Sequence, residues 1–142
     1  MSNFDVADLD EVWKIVGSDP LACNLYHLQE HAIEHAVLAW CEAHDVAVIA
    51  YSPFGSGRFR GPRTKGGLLL RAIAAAHGAT LREVALRFLV RKPGLFAIPK
   101  AAKPEHAAEN TGAGDLQPTE PELVRIDAAF PRGPRGHELP ML

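Results

Sequence analysis

The sequence predicts an α/β fold of parallel strands alternating with helices, and three observations carry that expectation. Residues 46–51 (Val-Ala-Val-Ile-Ala-Tyr) are continuously apolar and rich in β-branched side chains, as in a strand buried on both faces of a parallel sheet. Two further short apolar runs, 21–26 and 95–99, share this character. Helix-period segments of about ten residues or more separate the runs, and strands separated in this way pair in parallel through crossover helices.

The bulk properties agree. A chain of 142 residues fits one domain, and an apolar fraction of 47% is enough for a packed core. A net charge of −2 and a pI of about 6.4 give no support to nucleic acid or an anionic membrane as partner. No run reaches the roughly 18 apolar residues of a membrane helix. The opening Met-Ser-Asn-Phe-Asp-Val-Ala-Asp-Leu-Asp-Glu is acidic and has no apolar stretch of the secretory kind. Cys23 and Cys41 stand far apart without metal-site spacing, so two buried, reduced thiols of a cytoplasmic protein are expected.

Taken in order, Asn3 or Asp5 has the chemistry to cap a first helix, in which Val6, Leu9, Val12, Trp13 and Val16 recur at helical spacing. Gly17 and Pro20 end it. A strand over 21–26 follows, then a helix over 32–43 with Ile33, Val37 and Trp40 on one face. The strand at 46–51 opens into the loop Ser52-Pro53-Phe54-Gly55-Ser56-Gly57. Residues 58–67 read as a polar, mobile loop, and its Arg58, Arg60, Arg63 and Lys65 as a solvated face rather than a phosphate funnel. A helix over 68–77 is closed by Gly78. Thr80 and Glu83 form a capping box for the next helix, which Lys92-Pro93-Gly94 stops. A short buried strand at 95–99 leads to a helix opened by Pro104 and running to about Asn110. Thr119 and Glu122 make another capping box, before Leu123, Ile126 and Phe130. Residues 131–142 read as an irregular tail.

Six segments in this order resemble one family: Ser-Asn-Phe at 2–4; Cys-Asn-x-Tyr-His-Leu at 23–28; Ala-Tyr-Ser-Pro-Phe-Gly-Ser-Gly at 50–57; His-Gly-x-Thr-x-x-x-Val-Ala-Leu-Arg-Phe at 77–88; Ile-Pro-Lys at 98–100; and Pro-Glu-His-x-x-Glu-Asn at 104–110. The series is similar to the second half of the bacterial aldo-keto reductases, which are (β/α)8 barrels, from Ser2 to about Phe130. A full barrel takes roughly 250 residues and eight strands. The resemblance therefore implies a partial (β/α)8 barrel, residues 1–142 supplying the last three to four βα units with outer helices. The Ser2-Asn3 pair would follow the barrel's fifth strand.

The resemblance also implies a site for NADP(H), with NAD(H) as the alternative. Ser2 and Asn3 would hydrogen-bond the nicotinamide carboxamide, and Tyr51 would stack on its ring. Ser52, Phe54 and Ser56, with the Gly55 backbone, would wrap the pyrophosphate, since small residues let N–H groups approach phosphate oxygens. Lys100 would pair with the 2′-phosphate, His106 would stand where many relatives have arginine, and the helix opening at Pro104 would aim its positive end there. Glu109 and Asn110 would hydrogen-bond the adenine amine.

Some residues depart from the family pattern. Ala101 stands where many relatives have serine, which together with His106 weakens the grip on a 2′-phosphate; Lys103 is a candidate to compensate. Asn24 is followed at once by Leu25-Tyr26, two residues short of the usual pattern and lacking its glutamine, which is expected to shorten the strand by about 6–7 Å. The family's catalytic Asp, Tyr, Lys and His belong to its first half, and no residue here matches their motifs. No catalytic residue is therefore expected in this chain, and neither Tyr26 nor Tyr51 is assigned as the acid. Two functions follow: half of an oxidoreductase that reduces small aldehydes or ketones when completed by an N-terminal half, or a non-catalytic remnant or nucleotide-binding half-barrel. An open half-barrel exposes an apolar face, so self-association is also expected.

Other patterns are weaker. His31-Ala-Ile-Glu34-His35 matches an inverted zinc-protease motif, but no downstream ligand completes it, and solvent-facing polar groups at a helix start are the expectation. Gly112-Ala-Gly114 lacks the third glycine of a dinucleotide fingerprint and follows a helix. Gly55-Ser56-Gly57 lacks the spacing of a nucleophile elbow. Trp13 and Trp40 are expected in the core.

Overall fold

The computed structural model describes residues 2–17, 22–25 (backbone), 28, 31–56, 59 and 63–133. Helix α1 spans Val6–Val16. Asp5, not Asn3, caps it: the Asp8 N–H donates to the Asp5 carboxylate at 2.9 Å, and the Asp5 N–H donates to Asp8 at 3.1 Å. Strand β1 is Ala22–Leu25, β2 is Val48–Tyr51 and β3 is Leu95–Ile98. They form a three-stranded parallel sheet in the order β1-β2-β3. The register puts Leu25, Tyr51 and Ile98 in one row at the C-terminal ends. Because β1 pairs level with β2 to its last residue, the expected shortening does not appear as a lost rung; Tyr26 lies outside the described residues.

The predicted helix over 32–43 divides. A 3-10 turn covers Ala32–His35, Ala36 breaks the run at φ −144°, and α2 covers Val37–Ala43. The break accompanies the capture of His31, Glu34 and His35 side chains by distant groups, described below, which outweighs the helical period of the apolar residues.

Helix α3 spans Lys65–His77, three residues earlier than its hydrophobic pattern suggests. Thr64 caps it, accepting the Gly67 N–H at 3.1 Å. The two glycines that make 66–67 read as loop are both buried. A Cβ on Gly66 would lie 2.5 Å from Phe130 Cζ, so this close approach needs a residue without a side chain. Helix α4 (Leu81–Leu89) carries the predicted capping box, with Thr80 N–H donating to Glu83 at 2.6 Å and Glu83 N–H to the Thr80 hydroxyl at 3.2 Å. Helix α5 is Pro104–Gly112 and α6 is Glu120–Ala129. The tail beyond Gly133 lies outside the described residues.

Two apolar clusters hold these elements. One joins α1, α2 and the helix-facing residues of the sheet, with Leu9, Val37, Trp40, Cys41, Val48, Ala50 and Leu95. Trp13 and Trp40 pack edge to face at 5.7 Å, and His44 stacks on Trp40 at 3.9 Å, so both tryptophans are structural as expected. Burial also pushes the Cys41 thiol up to about 11, which keeps it protonated and unreactive. The second cluster joins α3, α4 and α6 around Phe88 and Ile126, both fully buried. Helix α4 links the two, placing Leu89 in the first and Val84, Ala85 and Phe88 in the second.

Strand β3 departs from expectation. Leu95 is buried, but Phe96 and Ile98 are 57% and 58% exposed. The strand alternation sends Leu95 and Ala97 into the helix-side cluster and Phe96 and Ile98 to the sheet's other face, over which the described residues place no layer.

Candidate functional site

Parallel strands deliver their following loops to one end of the sheet, where α/β proteins bind ligands. Tyr51 ends β2, and its hydroxyl donates to Asn3 Oδ1 at 2.6 Å. Two predicted nicotinamide contacts, 48 positions apart, thus touch. Ser2, beside them, forms an isolated β-bridge.

The loop after β2 is tightly wound. The Gly55 N–H donates to the Ser52 carbonyl at 2.7 Å, and the Ser56 hydroxyl donates to that of Ser52 at 3.2 Å. Ser52, Gly55 and Ser56 all have positive φ, at 49°, 64° and 49°. Among the described residues Asn3, Asp45, Ser52 and Ser56 are the non-glycines with positive φ. Such conformations cost about 1–3 kcal/mol each and gather at ligand sites. Three of the four are predicted site residues.

A cavity of about 470 Å³ lies between this loop and the one after β3. Ser52, Pro53, Phe54 and Ser56 line one side, Lys100, Ala102 and His106 the other, and Phe59 and Arg82 complete it. Among the described residues no carboxylate lines it. Helix α5 begins at its rim with Pro104, which has no N–H; the His106 N–H donates to the Lys103 carbonyl at 3.1 Å, and among the described residues no side chain caps the first turn, so the Glu105 N–H is the first-turn donor left to an anion.

Glu109 and Asn110 do not line this cavity; they sit one turn further along α5, both half-buried. Asn110 lies four residues from His106, hence on the same face. Among the described residues its buried Oδ1 has no hydrogen-bond partner. Arg82 and Phe59 were missed by sequence reasoning: Arg82 lies 26 positions beyond Ser56 in an ordinary helical first turn, and nothing local marks it. Of the basic loop, Arg63 and Lys65 are exposed, as expected of a solvated face, and Arg58 and Arg60 lie outside the described residues.

The His31-to-His35 motif behaves otherwise than expected. Its groups are not solvent-facing: His31 is fully buried and the Glu34 side chain is 2% exposed. Glu34 accepts from Arg91 at 2.8 and 3.0 Å, and Arg132 Nε lies 3.3 Å away. His31 faces Glu34 through Nδ1 at 3.2 Å and donates from Nε2 to the Phe130 carbonyl, while His35 donates to the Gly133 carbonyl at 3.0 Å. These side chains fasten the segment after α6. Ligand atoms of His31, Glu34 and Asp127 come within 4.8 Å of one another, but two guanidiniums on Glu34 oppose a cation there.

The arrangement so far defines a parallel α/β protein with an anion-receptive cavity at the C-terminal ends of its strands. Comparison with known proteins makes this specific. The aldo/keto reductase family profile matches residues 1–130, and the chain belongs to that family. It is 36% identical over 139 residues to methylglyoxal reductase YeaE of Escherichia coli (strain K12), covering 96% of this chain and 48% of that protein. It is similar in fold to an aldo-keto reductase from Klebsiella pneumoniae crystallised with NADPH, at TM-score 0.87 and 33% identity over 99% of this chain and 50% of that one. A Klebsiella pneumoniae aldo/keto reductase crystallised with NADP and acetate gives TM-score 0.88 at 34% identity. The chain thus spans about half the length of the relatives it matches, and its parallel strands and helices correspond to half of an aldo-keto reductase barrel. No helix among the described residues is long and apolar enough to cross a membrane.

Proposed function

We infer that this chain is the NADP(H)-binding half of a carbonyl reductase, acting on small aldehydes or ketones when the barrel's other half is present. The observation that carries this is the single cavity into which Ser52, Phe54, Ser56, Lys100 and His106 converge from two loops. The residues fit the cofactor: serines and a left-handed glycine for the pyrophosphate, cations without a facing carboxylate for a 2′-phosphate, and an orphaned amide oxygen for the adenine amine. NAD(H) is the weaker alternative, since it leaves that positive charge unanswered.

When bound, the cofactor would supply the hydride that reduces the carbonyl carbon. This chain's part is to hold and orient it. The Tyr51 ring would set which nicotinamide face is offered. Its hydroxyl is given to Asn3 Oδ1, which leaves the Asn3 amide N–H groups to hold a carboxamide oxygen. That same bond argues against Tyr51 as the proton donor. The acid would come from the catalytic tetrad of the other half, and Ser2, Glu109 and Asn110 would complete the cofactor contacts. A reduced, buried Cys41 suits a cytoplasmic enzyme.

Calorimetric titration of the folded chain with NADPH tests the reading. Binding at micromolar strength is expected; a folded chain that takes up no NADPH overturns it. The second reading is a non-catalytic nucleotide-binding half-barrel. It predicts that no carbonyl-dependent NADPH oxidation appears even after mixing with a polypeptide carrying the family's first half, whereas the first reading predicts turnover.

A further inference from the structure

We propose that Arg82 determines the cofactor preference of this site, by gripping the 2′-phosphate that distinguishes NADP(H) from NAD(H); the proposal rests on the NADP(H) reading above. Arg82 lies in the first turn of α4, and its guanidinium carbon sits 4.6 Å from the centroid of the Phe54 ring. Phe54 is itself braced edge to face by Phe59, with centroids 5.5 Å apart. This cation–π contact places a planar, permanently charged fork at the wall of the cavity shared with Lys100 and His106.

Three features make the fork a ligand group rather than a structural one. Arg82 has no carboxylate partner among the described residues, in contrast to Arg91 and Arg132, whose charges are answered by Glu34. Lys100 and His106 on the opposite wall are likewise without carboxylate partners among the described residues, so the cavity holds the Arg82 and Lys100 charges with no described carboxylate lining it. The guanidinium geometry also meets a deficiency. Ala101 offers no hydroxyl, and His106 offers a single ring N–H where an arginine would offer a fork, so a bidentate donor is missing from the α5 side. Arg82 supplies one from α4. Phe54 holds the side chain in place before the ligand arrives, which reduces the entropy lost on binding. With its carbon over the Phe54 ring, the guanidinium still carries N–H groups that can donate to phosphate oxygens.

The test is a set of titrations of the 142-residue chain and its Arg82→Ala, Arg82→Gln and Arg82→Lys variants with NADPH, NADH, 2′,5′-ADP and 5′-AMP. Circular dichroism melts establish that each variant is folded. Arg82→Gln keeps a planar group over Phe54 without the charge, so the proposal stays testable if Arg82→Ala loses its fold. Loss of one charge-assisted, two-pronged contact is expected to weaken NADPH and 2′,5′-ADP about 10- to 100-fold. NADH and 5′-AMP should change less than about threefold, and Arg82→Lys should fall between. Equal weakening of NADPH and NADH would assign Arg82 to the pyrophosphate or adenine and overturn the proposal. Unchanged NADPH binding in Arg82→Gln would overturn it too, leaving the cofactor reading intact. A folded wild-type chain that binds none of the four ligands would instead bring down the cofactor reading, and this proposal with it.

Discussion

Glu34 shows how much one residue can be asked to hold. Its carboxylate is almost wholly removed from water and meets Arg91, Arg132 and His31. Truncating one member of such a set leaves uncompensated charge in a low-dielectric place, a penalty larger than the net worth of the intact pair. Glu34→Ala is therefore expected to destabilise the chain by about 3–5 kcal/mol in urea unfolding. Loss of under about 1 kcal/mol would mean that the cluster is solvated in solution. The linear motif around Glu34 showed that something polar was concentrated there. It did not show the partners, because Arg91 and Arg132 lie 57 and 98 positions away.

At the scale of elements, caps were the most legible feature. The Thr80 and Glu83 pair and Pro104 at the first helical position stand where local chemistry puts them, since a cap answers N–H groups within three residues. Glu122 extends this logic to pH. Its carboxylate accepts the Thr119 N–H at 2.8 Å and the His77 Nε2–H at 2.9 Å, and these bonds hold it below the usual glutamate range. A carboxylate lowered in the folded state contributes stability that is fully present above its unfolded value and is lost as pH falls through the folded one. Melting temperatures followed from about pH 6 down to about pH 3 should thus fall less steeply in Glu122→Gln than in the wild type. Parallel curves would show that Glu122 is not a source of the acid sensitivity. Helix starts and breaks set by distant contacts were not legible in this way. Gly66 and Gly67 read as loop because glycine is a poor helix former; the Thr64 cap that starts α3 is local, but the Phe130 ring packed against Gly66 is not.

On the scale of the whole molecule, the sheet's open face dominates. Phe96 and Ile98 stand exposed side by side with the half-buried Ile49 and Tyr51 on the strand next to them. A contiguous apolar face of this kind favours association, with the face itself as the contact. Sedimentation velocity of the isolated chain is expected to show dimers or larger species, and Phe96→Lys with Ile98→Lys to shift them toward monomer. A monomeric wild type across the micromolar range would refute this. The first half of a family barrel, which would cover the same face, should compete with self-association.

The sequence by itself determined the α/β class, the order of strands and helices, the family, and the identity of the loops that form the cavity. All of these reside in short-range periodicity, capping chemistry and linear motifs. Tertiary structure alone decided the division of residues 32–43, the exposure of β3, and the presence of Arg82 at the site. Each depends on which surfaces meet across tens of residues. A pattern of neighbours cannot encode that meeting, because it is set by packing and by where buried charge finds its partner.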